Sequence, residues 1–317
     1  MDKLQNIIVT GGGGFIGSNL ALELQDRWPE AVIYVIDDLR GSNLKNLEGF
    51  KGEFMQHDVA RREWLAAFGG RPVDAVFHLA SITDTTVLDE EKMMHDNVEG
   101  FRNVLELAAE KGAKIVWASS AAVYGSMARP MREDDECRPN NVYGQSKLEM
   151  EKIARPLFGR MKLVGLRYFN VFGPRESFKG DPASMTYKLT LQMMAGKRPR
   201  IFKWGEQKRD FIYVKDVVSA TVGAMAAAAS TIVNVGTGTT TSFNELIAYI
   251  NEALGTDLEP DCFDNPYDFY QDFTQADVTL AREKIGFKAA YTTREGVIDY
   301  VRKYIAGSGS RQQYKKP

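Results

Sequence analysis

A glycine-rich segment near the amino terminus, TGGGGFIG over residues 10–17, constrains the fold of this chain more than any other feature. It follows the apolar run NIIVT and leads into a segment with helical periodicity. Gly11, Gly14 and Gly17 give the spacing G-x-x-G-x-x-G, which permits a tight turn and brings backbone N–H groups close to a pyrophosphate at a helix N-terminus. Because strand, turn and helix follow one another in this order, the segment predicts a dinucleotide site.

The first half of the chain alternates short apolar runs with helix-period segments. The Val- and Ile-rich runs predict strands at residues 6–10, 31–37, 53–58, 73–80, 114–119 and 162–168. The segments between them predict helices at residues 14–27, 61–68, 93–111 and 143–158. Nearly continuous hydrophobicity is typical of strands buried on both faces. This alternation predicts an α/β fold, a Rossmann-type doubly wound parallel sheet.

After residue 169 the pattern becomes less regular, with turn signals at Gly173-Pro174, Gly180-Asp181-Pro182 and Arg198-Pro199. Later segments predict a strand at 232–235, helices at 243–254, 276–285 and 293–305, and a buried apolar helix at 217–228. We therefore expect an NAD(P)-binding domain over residues 1–169 and a smaller substrate-binding lobe over 170–306. That lobe is interleaved with late elements of the main sheet, and a disordered tail follows at 307–317.

Composition narrows the functional class. With 317 residues, 44% hydrophobic content and a net charge of −2, the chain has no basic excess that would favour nucleic acid or an anionic membrane. It begins with a strand rather than a signal-like segment, and no apolar run approaches the roughly 20 residues that span a bilayer. Two widely separated cysteines and three isolated histidines show no metal-ligand spacing. We expect a cytoplasmic protein without a metal site.

Acidic residues end the second predicted strand, about 20 residues beyond the glycines. Asp37 favours NAD, because a carboxylate at this position binds ribose hydroxyls and repels a 2′-phosphate. Arg40 is near enough to serve a 2′-phosphate, so NADP stays open. Asp58 and the turn after the fourth strand are expected beside the adenine and the ribose–pyrophosphate. The predicted cofactor-binding residues are Gly11, Gly14, Phe15, Ile16, Gly17, Asp37, Asp38, Arg40, Asp58, Val59, Leu79, Ala80, Ser81, Asn97, Tyr143 and Lys147.

A catalytic set follows the fifth predicted strand. SSAAVYG over residues 119–125 ends that strand, at the carboxyl edge where open α/β sheets bind ligands. Tyr143 and Lys147 are four residues apart, one helical turn from each other. A tyrosine hydroxyl with a pKa near 10 is a poor base, and we expect the ammonium of Lys147, with the nicotinium charge, to lower that pKa. Ser120 is expected to hold the substrate oxygen.

These motifs carry a family resemblance. The glycine fingerprint, the Ser-rich strand end, the Tyr-x-x-x-Lys pair and RYFNVFGPR over residues 167–175 resemble the extended short-chain dehydrogenase/reductase family, in its branch that acts on nucleotide sugars. The resemblance covers residues 6–305. It implies a tightly bound NAD or NADP, a nucleotide-diphosphate sugar as substrate and a homo-oligomer.

Three stretches resemble one subgroup, the ADP-glycero-manno-heptose 6-epimerases. They are RYFNVFGPRE over residues 167–176 with the segment that follows it, KRDFIYV over 208–214, and YQDFTQAD over 270–277. The resemblance implies lipopolysaccharide biosynthesis as the setting, with Arg209 as a diphosphate clamp. The resemblance implies a set of substrate-binding residues, of which Ser120 and Lys179 are also catalytic. They are Thr85, Ser120, Asn170, Lys179, Ser184, Arg209 and Tyr270.

Lys179 has a sharper role in this comparison. Epimerisation through a ketone removes hydride from one face and returns it to the other, and the side arm of the sugar must rotate between the two steps. A second proton donor is useful because one base does not easily reach the oxygen in both poses. In the heptose epimerases a lysine at this position is thought to serve so. The alternative is a loop lysine that only binds phosphate.

Other activities stay open. A nucleotide-sugar 4-epimerase shares the fold, the cofactor and the Ser120, Tyr143 and Lys147 set. A 4,6-dehydratase is disfavoured, because Ala121-Ala122 stand where that chemistry needs an acid pair. A non-catalytic NAD(P)-binding sensor usually lacks the Tyr/Lys pair that this chain keeps. Asp38 departs from the subgroup, which tends to show Asn there. This extra acid weakens the case for NADP, the cofactor that the resemblance to the subgroup implies.

Overall fold

The structure is a computed structural model that describes residues 4–83, 89–264 and 271–307. Seven parallel strands form its central sheet, namely β1 (Asn6–Thr10), β2 (Val32–Asp37), β3 (Glu53–Gln56), β4 (Ala75–His78), β5 (Lys114–Ser120), β6 (Leu163–Tyr168) and β11 (Thr231–Val235). Their spatial order is β11-β6-β5-β4-β1-β2-β3. The order reverses between β1 and β4, which places the crevice of a doubly wound sheet at their carboxyl ends. The predicted Rossmann-type α/β fold is confirmed.

Helices cover both faces of the sheet because the side chains of each strand alternate between them. Ile7 and Val9 of β1 belong to one hydrophobic layer and Ile8 to the other. The described helices are α1 (Phe15–Arg27), α2 (Glu90–Lys111), α3 (Val142–Ala154), α4 (Met185–Met194), α5 (Val214–Gly223), α6 (Phe243–Leu254), α7 (Thr279–Ile285) and α8 (Thr293–Tyr300). Helices α1 and α5 pack together on the first face, and α2 and α3 on the second.

Short strand pairs build the second half of the chain. β7 (Asn170–Phe172) pairs with β10 (Phe211–Tyr213), β9 (Lys208–Arg209) with β12 (Thr241–Ser242), and β8 (Arg200–Phe202) with β13 (Asp261–Phe263). β11 instead returns to the central sheet beside β6. The division into domains at residue 169 remains a prediction, and residues 308–317 of the predicted tail lie outside the described residues.

Several predicted elements differ from the observed ones. The predicted helix at 61–68 is a 3₁₀ segment, Glu63–Phe68, in which Trp64 is buried and donates through Nε1 to the Val59 carbonyl. The helix predicted at 276–285 begins only at Thr279, because Ala276 forms a bridge with Met131. The helix predicted at 217–228 begins earlier, with α5, and ends in a 3₁₀ turn at Ala224–Ala226.

Candidate active site

The glycine-rich loop has no room for side chains at two of its three key positions. Gly11 has φ +69°, and a Cβ there would lie 2.6 Å from the Ala80 backbone nitrogen. A Cβ on Gly17 would lie 2.1 Å from the Gly11 carbonyl oxygen. Gly14 precedes α1 as its N-cap, and no side chain caps the helix there. The loop and the helix N-terminus therefore present backbone N–H groups and a positive dipole, which fits a pyrophosphate.

Asp37 connects the end of β2 to this loop. Its Oδ2 accepts a hydrogen bond from the Gly13 backbone N–H at 2.9 Å. Its Oδ1 accepts from the Leu39 N–H at 2.8 Å and from the Ser42 hydroxyl at 2.6 Å. Leu39 has φ +64°, an uncommon conformation for a side chain of this size. Since a carboxylate offers about four lone-pair sites, Asp37 keeps capacity to accept from a ribose hydroxyl.

Arg40 lies among three carboxylates. It forms ion pairs with Asp38, with Asp58 at 3.1 Å and with Asp96 at 2.9 Å. Asp96, which the sequence did not single out, also pairs with Lys92 at 2.6 Å. Burial raises the pKa of Asp96, but hydrogen bonds from Lys92 and Arg40 outweigh this and lower it to about 2. The charge of Arg40 is therefore shared among protein carboxylates.

The turn after β4 packs against the glycine-rich loop. The backbone N–H of Leu79 donates to the Thr10 carbonyl at 3.0 Å, and that of Ala80 donates to the Thr10 hydroxyl at 3.4 Å. The same hydroxyl bonds Nδ1 of His78 at 2.8 Å. Burial lowers the pKa of His78 to about 3. His78 is thus neutral, and it acts here by fixing the turn.

Asn97 in α2 joins this turn to the catalytic helix. Its Oδ1 accepts from the Ile82 backbone N–H at 2.7 Å, and its Nδ2 donates to the Ser146 hydroxyl at 2.9 Å. The Ser146 hydroxyl donates to the Tyr143 carbonyl at 2.8 Å. Ser81, just before Ile82, is half-buried. Asn97 thus holds the turn and α3 in one arrangement.

Three other predicted cofactor residues use their side chains in packing. Phe15 is buried in the layer beneath α1, and the half-buried Ile16 packs against the same layer. A Cβ on Gly100 would lie 2.9 Å from Val59 Cγ2, so α2 passes close to Val59. The Val59 carbonyl accepts from the side chain of Asn103 at 2.9 Å. Any contact of these residues with a cofactor remains a prediction.

The structure brings the predicted catalytic residues together. Ser120 ends β5, and its hydroxyl hydrogen-bonds the Tyr143 side chain. Lys147 is buried, and its ammonium donates to the Ala118 carbonyl at 2.9 Å. The same ammonium lies 5.7 Å from the centre of the Tyr143 ring. Asn141 caps α3 by accepting from the Gly144 N–H, which fixes the helix that carries both groups.

The electrostatics of this set differ from the sequence-based expectation. Burial raises the pKa of the Tyr143 hydroxyl, and the hydrogen bond with Ser120 offsets only part of the rise. Burial also lowers the pKa of Lys147 to about 7. The lysine thus loses part of its charge near neutral pH. In the protein alone it therefore does not make Tyr143 a stronger acid, in contrast to the expectation from the sequence. A cationic nicotinamide ring would add the charge that favours the phenolate.

Lys179 lies on a different segment from Tyr143. Its ammonium is 5.4 Å from the ring centre of Phe15, the first residue of α1. Its backbone N–H donates to the Glu176 carbonyl at 3.0 Å. Burial lowers the pKa of Lys179, and the carboxylate of Glu176 opposes this shift. The lysine is therefore placed at the end of α1 that adjoins the glycine-rich loop.

Of the predicted substrate residues, two lie in the strand pairs of the second half of the chain and one caps a helix. Asn170 begins β7, and its Oδ1 accepts from the Thr274 hydroxyl at 2.8 Å. Arg209 is buried in β9, and its Nη1 donates to the Lys208 carbonyl. Ser184 instead caps α4 and donates to Glu176 at 2.9 Å. Two further predicted substrate residues lie outside the described residues, namely Thr85 and Tyr270.

Asp210 is a structural residue of the site that sequence reasoning missed. Its buried carboxylate accepts from Thr237 N–H and hydroxyl at 2.7 Å, and from the N–H groups of Gly238 and Ala276 at 3.0 Å. These bonds hold the chain around residue 276 against β9 and β10. Its position in the motif KRDFIYV, between Arg209 and an apolar run, is the only sequence signal for this role.

Comparison with known proteins agrees with this site. The chain matches the sequence model of the NAD-dependent epimerase/dehydratase family over residues 7–236. A fold with a glycine-rich dinucleotide loop and a Ser/Tyr/Lys set defines an NAD(P)-dependent enzyme of the short-chain dehydrogenase type. The chain belongs to the NAD-dependent epimerase/dehydratase family and is an isomerase.

Solved structures of epimerases resemble the whole chain. ADP-L-glycero-D-manno-heptose-6-epimerase from Helicobacter pylori is 39% identical, with a TM-score of 0.91, and the match covers 96% of this chain and 98% of that one. UDP-glucose 4-epimerase from Thermotoga maritima is 31% identical with a TM-score of 0.86, covering 94% and 99%. UDP-N-acetylglucosamine 4-epimerase from Methanobrevibacter ruminantium M1 is 27% identical with a TM-score of 0.87, covering 96% and 98%.

Among residues 4–83, 89–264 and 271–307, no helix is both long and apolar enough to cross a bilayer. Within the same residues, no group of three or more His, Cys, Asp and Glu side chains is arranged to hold a metal ion.

Proposed function

We propose that this protein is a nucleotide-sugar epimerase that inverts C6 of an ADP-glycero-manno-heptose through a 6-keto intermediate. The observation that carries this proposal is Lys179. It supplies a second amine, on a segment separate from Tyr143, beside the residue that opens α1. The 39% identity to the Helicobacter pylori heptose epimerase supports the same choice.

The chemistry divides between two proton-transfer groups. A bound nicotinamide would supply the acceptor for the C6 hydride of the sugar and the donor that returns it. Tyr143, as the phenolate, takes the proton of the C6 hydroxyl while Ser120 hydrogen-bonds the same oxygen, and the carbonyl forms as the C–H bond breaks. Rotation about C5–C6 turns the other face of the ketone toward the cofactor. As C6 regains its hydride, the ammonium of Lys179 gives its proton to the oxygen, which completes the new hydroxyl. Tyr143 then loses its proton to solvent and Lys179 regains one from solvent, which restores both groups for the next turnover.

The lowered pKa of Lys179 suits this role. An amine that holds its proton less tightly than ordinary lysine is a better general acid near neutral pH. Arg209 in β9 is buried close to Asn170, since Asn170 pairs with Phe211, two residues beyond Arg209. We assign Asn170, Arg209 and Tyr270 to the nucleotide diphosphate and its sugar, and Thr85 to the sugar site.

We further propose that the cofactor is NAD rather than NADP. At the end of β2, Asp38, Asp58 and Asp96 all pair with Arg40, and Asp96 also pairs with Lys92. Asp37, the last residue of β2, adds a further carboxylate there. A 2′-phosphate would add negative charge to a region that already has an excess of it. Arg40 would also have to leave its carboxylate partners to meet that phosphate.

The decisive experiment is a direct assay. The protein is incubated with ADP-D-glycero-D-manno-heptose, and proton NMR follows the appearance of the L-glycero epimer. UDP-galactose and GDP-heptose are run in parallel, because the shared Ser120/Tyr143/Lys147 set and the 31% identity to a UDP-glucose 4-epimerase make 4-epimerisation the second candidate. Turnover of UDP-galactose without turnover of the heptose would replace the proposal by that candidate.

A variant tests the two-base mechanism. Lys179→Met should lower the rate of epimerisation at least 100-fold. Oxidation of one epimer, observed as cofactor reduction in a single turnover, should persist because it uses Tyr143. Lys197→Met, which changes an exposed lysine in the turn after α4, is the matched control and should leave both rates unchanged. Equal loss of both rates in Lys179→Met would contradict the assignment of a second base.

A further inference from the structure

Arg175 has a backbone conformation that a non-glycine residue seldom adopts. Its φ is +72°, in the left-handed region, directly after the Gly173-Pro174 turn. This conformation is unfavourable for an arginine and persists only where surrounding contacts hold it. Glycine would take the same φ without that cost. The contacts of the Arg175 side chain must therefore explain why an arginine, rather than a glycine, occupies this position.

The guanidinium of Arg175 reaches the cofactor loop through two asparagines. Its Nε donates to the Asn46 carbonyl at 3.0 Å, and its Nη1 donates to Asn19 Oδ1 at 3.3 Å. The Asn46 side chain donates in turn to the Gly13 carbonyl at 3.1 Å. The Asn19 side chain donates to the Phe15 carbonyl at 2.8 Å. Both asparagines therefore bond Arg175 and the glycine-rich loop or its helix.

Glu176, the residue after Arg175, connects it to the segment that carries Lys179. The buried carboxylate of Glu176 accepts from the Gly173 N–H at 3.1 Å, from the Ser184 N–H at 2.7 Å and from the Ser184 hydroxyl at 2.9 Å. The Glu176 carbonyl accepts from the Lys179 N–H. These bonds close residues 173–184 into one unit. Hydrogen bonds of Glu176 therefore connect the backbone next to Arg175 with the backbone of Lys179.

We propose that Arg175 is a positioning residue that couples the glycine-rich loop to the Lys179 segment, so that a dinucleotide pyrophosphate in the loop also orders residues 176–184. The role of Lys179 in this statement rests on the proposed function, whereas the coupling does not. A pyrophosphate drawn to the backbone N–H groups of the loop fixes Gly13 and Phe15. Asn46 and Asn19 pass that order to Arg175, and Glu176 passes it to the lysine.

Arg175→Gly is the sharpest variant, because it removes both guanidinium hydrogen bonds while relieving the backbone strain. We expect the Kd for NAD of cofactor-free protein to rise about tenfold. In the wild type, saturating NAD should slow amide hydrogen exchange across residues 176–184, and in Arg175→Gly at saturating NAD this slowing should be largely lost. Arg175→Lys keeps the charge without the fork, and should give intermediate values.

Arg198→Gly is the matched control. Arg198 also donates to two backbone carbonyls, those of Glu259 and Pro260, but in the β8–β13 part of the chain. It should leave both the NAD affinity and the exchange of residues 176–184 unchanged. If NAD slows that exchange equally in Arg175→Gly and in the wild type, the coupling is refuted, even if the variant is less stable.

Activity separates this inference from the proposed function. With ADP-heptose as substrate and saturating NAD, Arg175→Gly should lower net epimerisation about tenfold more than single-turnover oxidation. If the wild type does not act on the heptose while the exchange result holds, the coupling stands and the proposed substrate fails. If the heptose is epimerised and the exchange result fails, the proposed substrate stands and the coupling fails.

Discussion

The carboxylate of Glu151 in α3 forms a buried, two-pronged ion pair with Arg167 in β6, at 2.9 and 2.7 Å. The Ser119 hydroxyl donates to the same carboxylate at 2.7 Å, and the guanidinium lies 4.7 Å from the centre of the Tyr124 ring. Helix α3 carries Tyr143 and Lys147, and β5 ends in Ser120. The pair thus fixes the catalytic helix against the strands that complete the site.

Breaking this pair should be costly. Glu151→Gln leaves the Arg167 charge buried without a counter-ion, and we expect a loss of about 3 kcal/mol in the free energy of unfolding. Adding Arg167→Met to Glu151→Gln should restore much of the lost stability, because neither position of the pair then carries a buried charge. Urea unfolding of cofactor-free protein measures both. Glu106→Gln, which breaks an exposed pair with Arg62, is the control and should leave the unfolding midpoint unchanged.

Lys147 should make stability depend on pH. Its pKa is about 7 in the folded protein and near 10.5 in the unfolded chain, so the unfolded chain binds more protons between these values. Stability contributed at this site therefore rises as pH increases from 7 to 10.5. Lys147→Met should be more stable than the wild type at pH 7, with the difference shrinking toward pH 10, while catalysis is lost.

Thermal unfolding of cofactor-free protein across this pH range tests the prediction. Lys152→Met, which changes an exposed lysine of the same helix, provides the comparison and should follow the wild-type curve. Parallel pH profiles for Lys147→Met and the wild type would show that burial does not perturb Lys147.

The close approach at Gly17 should control cofactor binding. A methyl group there would lie 2.1 Å from the Gly11 carbonyl oxygen, so Gly17→Ala must push the loop and helix apart. We expect at least a tenfold rise in the Kd for NAD, measured by calorimetry on cofactor-free protein. Gly70→Ala adds the same methyl where nothing lies within 4 Å, and it should bind NAD as the wild type does.

The carboxylates around Arg40 should set the preference for NAD. Asp38→Asn removes one negative charge and one partner of Arg40, which leaves the guanidinium freer to meet a 2′-phosphate. The ratio of NADP Kd to NAD Kd should fall about tenfold, equivalent to about 1.4 kcal/mol. Glu53 lies on β3 and forms an exposed ion pair with Arg71. Glu53→Gln, which breaks that pair, should leave the ratio unchanged. Tighter binding of NADP than NAD by the wild type would overturn the cofactor proposal.

Local sequence patterns determined the elements that lie close together in the chain. The glycine spacing predicted the loop after β1, and the Tyr143–Lys147 spacing predicted one face of α3, because both follow from local backbone geometry. Continuous apolar runs predicted strands buried on both faces. The boundaries of α5 and α7 were less accurate, because contacts from distant segments set them.

Tertiary structure decided everything that depends on residues far apart in the chain. Asp96 meets Arg40 from a helix 56 residues away, and Arg175 reaches Asn46 across 129 residues. No periodicity encodes such pairs. Burial likewise set the direction of the pKa shifts, so that Tyr143 and Lys147 interact differently from what their spacing alone suggested. The sequence by itself determined which chemical groups stand at the carboxyl edge of the sheet. Only the packed fold decided which of them share charges and hydrogen bonds, because desolvation and long-range contacts exist only once the chain has folded.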